Sequence, residues 1–74
     1  MKAKIIFNFP DDNLEYERCN DAPKLSSVIW DLDQELRKRE KHEGNEPITP
    51  GEVRELLREL MEDNGIDFNK PYFQ

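Results

Sequence analysis

A small, helix-dominated α+β domain is the fold this sequence predicts, and three observations predict it. Residues 2–9 alternate in the strand period, and two later stretches repeat apolar residues at helical spacing. The second of those stretches also carries start and stop signals at its two ends. The expected order is an N-terminal strand, a short helix, an antiparallel pair of longer helices, and an extended C-terminal tail able to pair with the first strand. All 74 residues are expected to form one domain, 1–74.

In KAKIIFNF, residues 2–9, Ala3, Ile5, Phe7 and Phe9 point one way; Lys2, Lys4 and Asn8 point the other way with Ile6. Pro10 ends the strand because it cannot donate to a ladder. The strand's partner is either the apolar tail after Gly65 or the same strand of a second copy. Asp11-Asp12-Asn13 reads as a turn and helix start, with Asp12 and Glu15 as a capping box for a short helix over about 12–20. Leu14 and Tyr16 also alternate, which leaves a second strand as the alternative. Asp21-Ala22-Pro23 breaks the chain, and a longer helix follows from about Pro23 to His42.

Leu25, Val28, Ile29, Leu32 and Leu36 give that helix an apolar stripe. Asp33 precedes Arg37, and Glu35 precedes Arg39, by the interval that favours helical ion pairs. Arg37, Lys38, Arg39 and Lys41 suit its C-terminal end. Glu43-Gly44-Asn45-Glu46-Pro47 is a loop, and Ile48 a candidate staple residue. The last helix is the best punctuated. Thr49 is its N-cap, Pro50 its first residue and Glu52 the capping-box acid, while Gly65 is the left-handed stop and Ile66 its apolar contact. Val53, Leu56, Leu57, Leu60 and Met61 form its stripe.

Seventeen acidic residues stand against eleven basic ones, a net charge of −6. That balance argues against direct binding to nucleic acid or to an anionic membrane, since phosphate affinity needs clustered Lys and Arg. It suits a protein partner, including a basic nucleic-acid-binding protein. The single cysteine, Cys19, has no internal disulfide partner, and the N-terminal apolar run stops at Phe9-Pro10, too soon for a signal peptide. A cytoplasmic protein is expected.

No catalytic, cofactor or metal set is expected. His42 and Cys19 are the lone residues of their kinds and lie too far apart for a zinc spacing. Asp31-Leu32-Asp33-Gln34-Glu35 begins like a calcium loop, but Leu36 occupies the glycine position and His42 the bidentate glutamate position. His42 is read as a solvent-facing residue at its helix end. With Gly44, Gly51 and Gly65 as the chain's glycines, no phosphate-cradling loop exists.

Two features are candidate contact surfaces. Trp30 lies off the Leu25–Leu36 stripe, near Ser26, Asp33 and Arg37. It is expected to widen the buried face by packing on the strand or short helix; the alternative is an interface anchor. Tyr72 and Phe73 either finish the core or join Trp30 in an exposed patch. Glu52, Glu55, Glu59 and Glu62 line the last helix, as a plain solvated face or as carboxylates that occupy a partner's basic groove.

Lys2-Ala3-Lys4-Ile5-Ile6-Phe7-Asn8-Phe9-Pro10-Asp11-Asp12 and Trp30-Asp31-Leu32-Asp33-Gln34-Glu35-Leu36-Arg37 resemble small proteins encoded in tailed phages and prophages. The resemblance covers the first half of the chain, and Asn20-Asp21-Ala22-Pro23-Lys24 departs from the glycine-containing turn of that group. It implies a context rather than an activity: a phage or mobile-element accessory protein that acts by contact with a host or phage protein. With no catalytic or metal set beside it, the leading expectation is a non-enzymatic protein that modulates a host or defence protein. The alternative is a self-associating structural or regulatory module without mimicry of DNA, a homodimer joined through its tail or first strand.

Overall fold

Leu14, Leu25, Val28, Leu32 and Leu36 fall on one side of a helix, and the chain follows that stripe without interruption as α1, Asn13–His42. The structure is a computed structural model that describes residues 1–42 and 47–74. Residues 43–46 of the expected 43–47 loop and the side chain of His42 lie outside the described residues.

One helix therefore replaces the expected short and long pair, and Asp21-Ala22-Pro23 is no break. Pro23 sits inside α1, where it removes the bond to the Cys19 carbonyl, a defect worth about 3 kcal/mol in a helix interior. Anchors on both sides outweigh it. Asp21 is held by the C-terminal tail, and Leu25 and Val28 pack into the core. Of the expected ion pairs, neither Asp33–Arg37 nor Glu35–Arg39 occurs among the described residues. Glu35 pairs instead with Lys38, at 3.6 Å, one residue closer.

Residues 2–9 are not a strand, so the α+β class is corrected: among the described residues the regular structure is helical throughout. A strand needs a ladder, and the tail offers none. The tail's backbone donors are used locally, Lys70 N–H to Asp67 O and Phe73 N–H to Lys70 O, while Asn69 N–H bonds the Asp67 carboxylate at 2.7 Å. It closes in a 3-10 turn, Pro71–Phe73, against α1 rather than beside the N-terminus. The period-two pattern does a different job. It puts Phe7 and Phe9 on one side of the segment, and both rings meet Tyr16 edge-on at 5.3 and 5.2 Å. Asn8 and Asp12 lock this approach reciprocally: Asp12 N–H donates to Asn8 O, and Asn8 N–H donates to the Asp12 carboxylate, each at 2.8 Å. That carboxylate is thereby spent on Asn8 instead of on the capping box with Glu15.

The second helix, α2, Pro50–Asp63, starts and stops where its punctuation places it. Glu52 N–H donates to the Thr49 hydroxyl at 3.2 Å, and that hydroxyl donates to the Glu52 carboxylate at 3.1 Å. At the far end Ile66 N–H bonds Met61 O and Gly65 N–H bonds Glu62 O, both at 2.9 Å, with Gly65 at φ +74°. This is the Schellman pairing, and its apolar contact is made by Ile66 on Met61.

Val28, Met61 and Ile66 form the centre of the core, with Leu25, Leu57 and Leu60 packed around them. The core thus joins the C-terminal half of α2 to the middle of α1. The radius of gyration is 16.3 Å, against about 11 Å for a compact chain of this length. The third dimension spans just 16 Å. So the helices form a single layer, and each keeps one side open. No helix among the described residues is long and apolar enough to cross a membrane.

Candidate interaction surfaces and the Asp21 latch

Asp21 occupies an apolar register. Positions 21, 25, 28 and 32 follow one another on the core side of α1, so the carboxylate points where leucine or valine would be expected. It is buried, 6% exposed, and the tail supplies its partners. The Tyr72 hydroxyl donates to Asp21 Oδ2 at 2.5 Å. The Lys70 ammonium lies 3.6 Å from the same oxygen, and Lys24, one turn on, lies 3.9 Å from Oδ1. Arg18 completes the surround with its guanidinium 5.9 Å from the centre of the Tyr72 ring.

The two acids are driven apart. The Tyr72 hydrogen bond, with Lys70 and Lys24, holds the Asp21 carboxyl below its usual range in spite of burial. Burial, then the bond to Asp21 and its charge, push the Tyr72 phenol up to about 12. A general acid or base works best with a pKa near the working pH. Here the carboxylate becomes a weaker base and the phenol a weaker acid. The cluster is a latch that fixes the tail on α1.

In the sequence Asp21 reads as part of a chain break and Tyr72 as an apolar tail residue, so this cluster is not apparent there. A signal was present: an acid in the apolar register of a helix must find donors elsewhere in the chain. Among the described residues no group of three or more His, Cys, Asp or Glu is placed to hold a metal ion. A shallow, open depression of about 250 Å³ lies on α1, lined by Gln34, Glu35, Arg37, Lys38 and Lys41.

Trp30 does not widen the buried face. It is 65% exposed on the side of α1 away from the core, and Ile29, expected in the buried stripe, sits at the edge of that stripe and is 70% exposed. Neither a strand nor a separate short helix is there to receive Trp30. Tyr72 and Phe73 do not join it. The Phe73 ring meets those of Tyr72 and Phe68 at a tilt, with centroids 4.9 and 5.5 Å away, and Tyr72 is bonded to the core side of α1.

Glu52, Glu55, Glu59 and Glu62 are all exposed and share the side of α2 opposite Val53, Leu57 and Leu60. Glu52 is partly committed to the Thr49 cap. The other three make no ion pair among the described residues. The tryptophan and the carboxylate row thus occupy opposite sides of a one-layer molecule. No known family matches this chain, and neither does a curated protein or a solved structure.

Proposed function

We propose that this chain is a non-enzymatic accessory protein of a phage or mobile element, acting in the cytoplasm by contact with other proteins. The observation that carries the reading is Trp30, 65% exposed on the side of α1 remote from the core. Leaving an indole and the neighbouring Ile29 in water forgoes burial of about 1.5–3 kcal/mol per large side chain, which a partner surface recovers. Tryptophan is also the side chain most enriched at binding hot spots. The outward carboxylates Glu55, Glu59 and Glu62 provide a second contact, suited to a basic surface such as that of a nucleic-acid-binding protein.

Affinity capture from a bacterial lysate, followed by mass spectrometry, tests this. The wild-type chain retains a specific protein. Loss with Glu55→Lys and Glu59→Lys together assigns the contact to the acidic row, and loss with Trp30→Ala assigns it to α1. Capture of nothing above background overturns the reading.

A further inference from the structure

The rear flank of α1, centred on Ser26 and running from Ile29 at the edge of the apolar stripe round to Trp30, carries Glu15, Cys19, Ala22, Ser26, Ile29, Trp30, Asp33 and Arg37 at helical spacing, and every one of them is exposed. Its two halves differ. Toward the N-terminus lie small side chains and the acid Glu15; toward the C-terminus lie Ile29, Trp30, the acid Asp33 and the base Arg37. Such a surface complements itself when turned end for end.

We infer that a second copy of this chain packs its own α1 antiparallel on this surface, the two helices crossing at Ser26. The inference rests on the reading that the chain works by protein contact, and it names the partner of the Trp30 side. In a two-fold pair centred on Ser26, each residue faces the one equally far on the other side of that centre. Trp30 then lies over Ala22, and Ile29 over Pro23, so each bulky side chain meets a smaller one. Ser26 meets Ser26, and its short side chain lets the helix axes approach closely. Arg37 faces Glu15, and the symmetry makes that pair twice. Neither residue has an ion pair among the described residues.

The charged pair sits about 16 Å from the crossing, where two helices inclined at about 20° are still within reach of long side chains. Farther out Glu40 and Lys41 pass beyond Asn13, the first residue of the partner's α1. A crossing at Glu35 would pair Asp33 with Arg37, but it would set Trp30 against Glu40 and leave half of the rear uncovered. Crossing at Ser26 covers Ile29 and Trp30 and pairs Arg37 with Glu15, while Asp33 faces the small Cys19.

Sedimentation velocity over a concentration series tests the arrangement, with emission from Trp30, the chain's single tryptophan, as a second readout. The wild type associates to a dimer, and its emission shifts to the blue as the dimer fills. Trp30→Ala weakens the dimer by about tenfold or more. Arg37→Glu weakens it severalfold, and adding Glu15→Arg to Arg37→Glu restores it. These positions lie outside the core, and far-UV circular dichroism verifies that each variant folds. A wild type that stays monomeric with unshifted emission overturns self-recognition, while a lysate partner lost on Trp30→Ala would leave the broader contact reading standing. A dimer insensitive to Trp30→Ala and Arg37→Glu also overturns it, because the junction then lies elsewhere. If the chain is monomeric and also captures nothing, both readings fall.

Discussion

Tyr72 donates its hydroxyl proton to the Asp21 carboxylate at 2.5 Å across 51 positions of sequence, and this one bond ties the end of the chain to the middle of α1. Tyr72→Phe keeps the ring beside Arg18 and Phe73 but deletes the donor. Asp21 would keep Lys70 and Lys24 while losing its nearest partner. The expected result is a lower unfolding midpoint and an Asp21 carboxyl that titrates closer to its ordinary value near 3.8. Carbon NMR of the Asp21 carboxyl reads the second effect directly. An unchanged titration would mean that the lysines, not the phenol, hold the carboxylate charged.

The same pair limits stability at both ends of the pH scale. Asp21 has a lowered value in the fold, so its contribution is present above the unfolded carboxyl value near 3.8 and is lost as pH falls through the lower folded one. Tyr72 is raised from 10.0 to about 12, so the fold favours the protonated phenol. Its contribution is complete below about 10, declines between about 10 and about 12, and is gone above. Urea midpoints measured against pH should show both flanks in the wild type. Tyr72→Phe should flatten the alkaline flank and reduce the acid one; an alkaline flank of undiminished slope would assign that loss to other groups.

α2 was the most legible part of the sequence because each of its ends is fixed by local chemistry. Thr49, Pro50 and Glu52 act within one turn, and Gly65 with Ile66 closes the other end through backbone geometry that needs no distant partner. The N-terminal segment was illegible for the opposite reason. Alternation in residues 2–9 fits any extended segment with one covered side, and a single tyrosine supplies that cover as well as a sheet would. Pro23 misled because its local penalty was legible, whereas the tail contacts that offset it come from residues 70–72. The exposure of Trp30 could not be read either. It depends on the molecule being one layer thick, which follows from how few elements there are to pack.

Those two ends of α2 make matched predictions. Thr49→Ala removes the acceptor of Glu52 N–H and should cost about 1 kcal/mol, whereas Thr49→Ser should cost little. Gly65→Ala forces an L side chain to φ +74° and should cost about 1–2 kcal/mol. The nearest atom to a new Cβ there is Lys24 Nζ at 4.0 Å, so the penalty is conformational and not steric. Gly65→Asn should consequently be milder than Gly65→Ala, since asparagine tolerates the left-handed region better. Urea unfolding of the four variants orders these costs, and equal losses for Ala and Asn at position 65 would contradict the account.

Ile66 and Trp30 are both large apolar residues, yet their substitution should give opposite outcomes. Ile66, 2% exposed, sits between Val28 and Met61, so Ile66→Ala leaves a cavity that the surrounding side chains fill incompletely. Truncations of this kind cost about 2–5 kcal/mol, a large share of what a domain this small has. Trp30, 65% exposed, touches none of that core, and in dilute monomer Trp30→Ala should change stability by less than about 0.5 kcal/mol. Raising the protein concentration separates the two further. A dimer through the rear of α1 stabilises the wild type by mass action and leaves Trp30→Ala behind. The thermal midpoint of the wild type should therefore climb with concentration, while that of Trp30→Ala stays flat. Midpoints that rise in parallel would place the association away from Trp30.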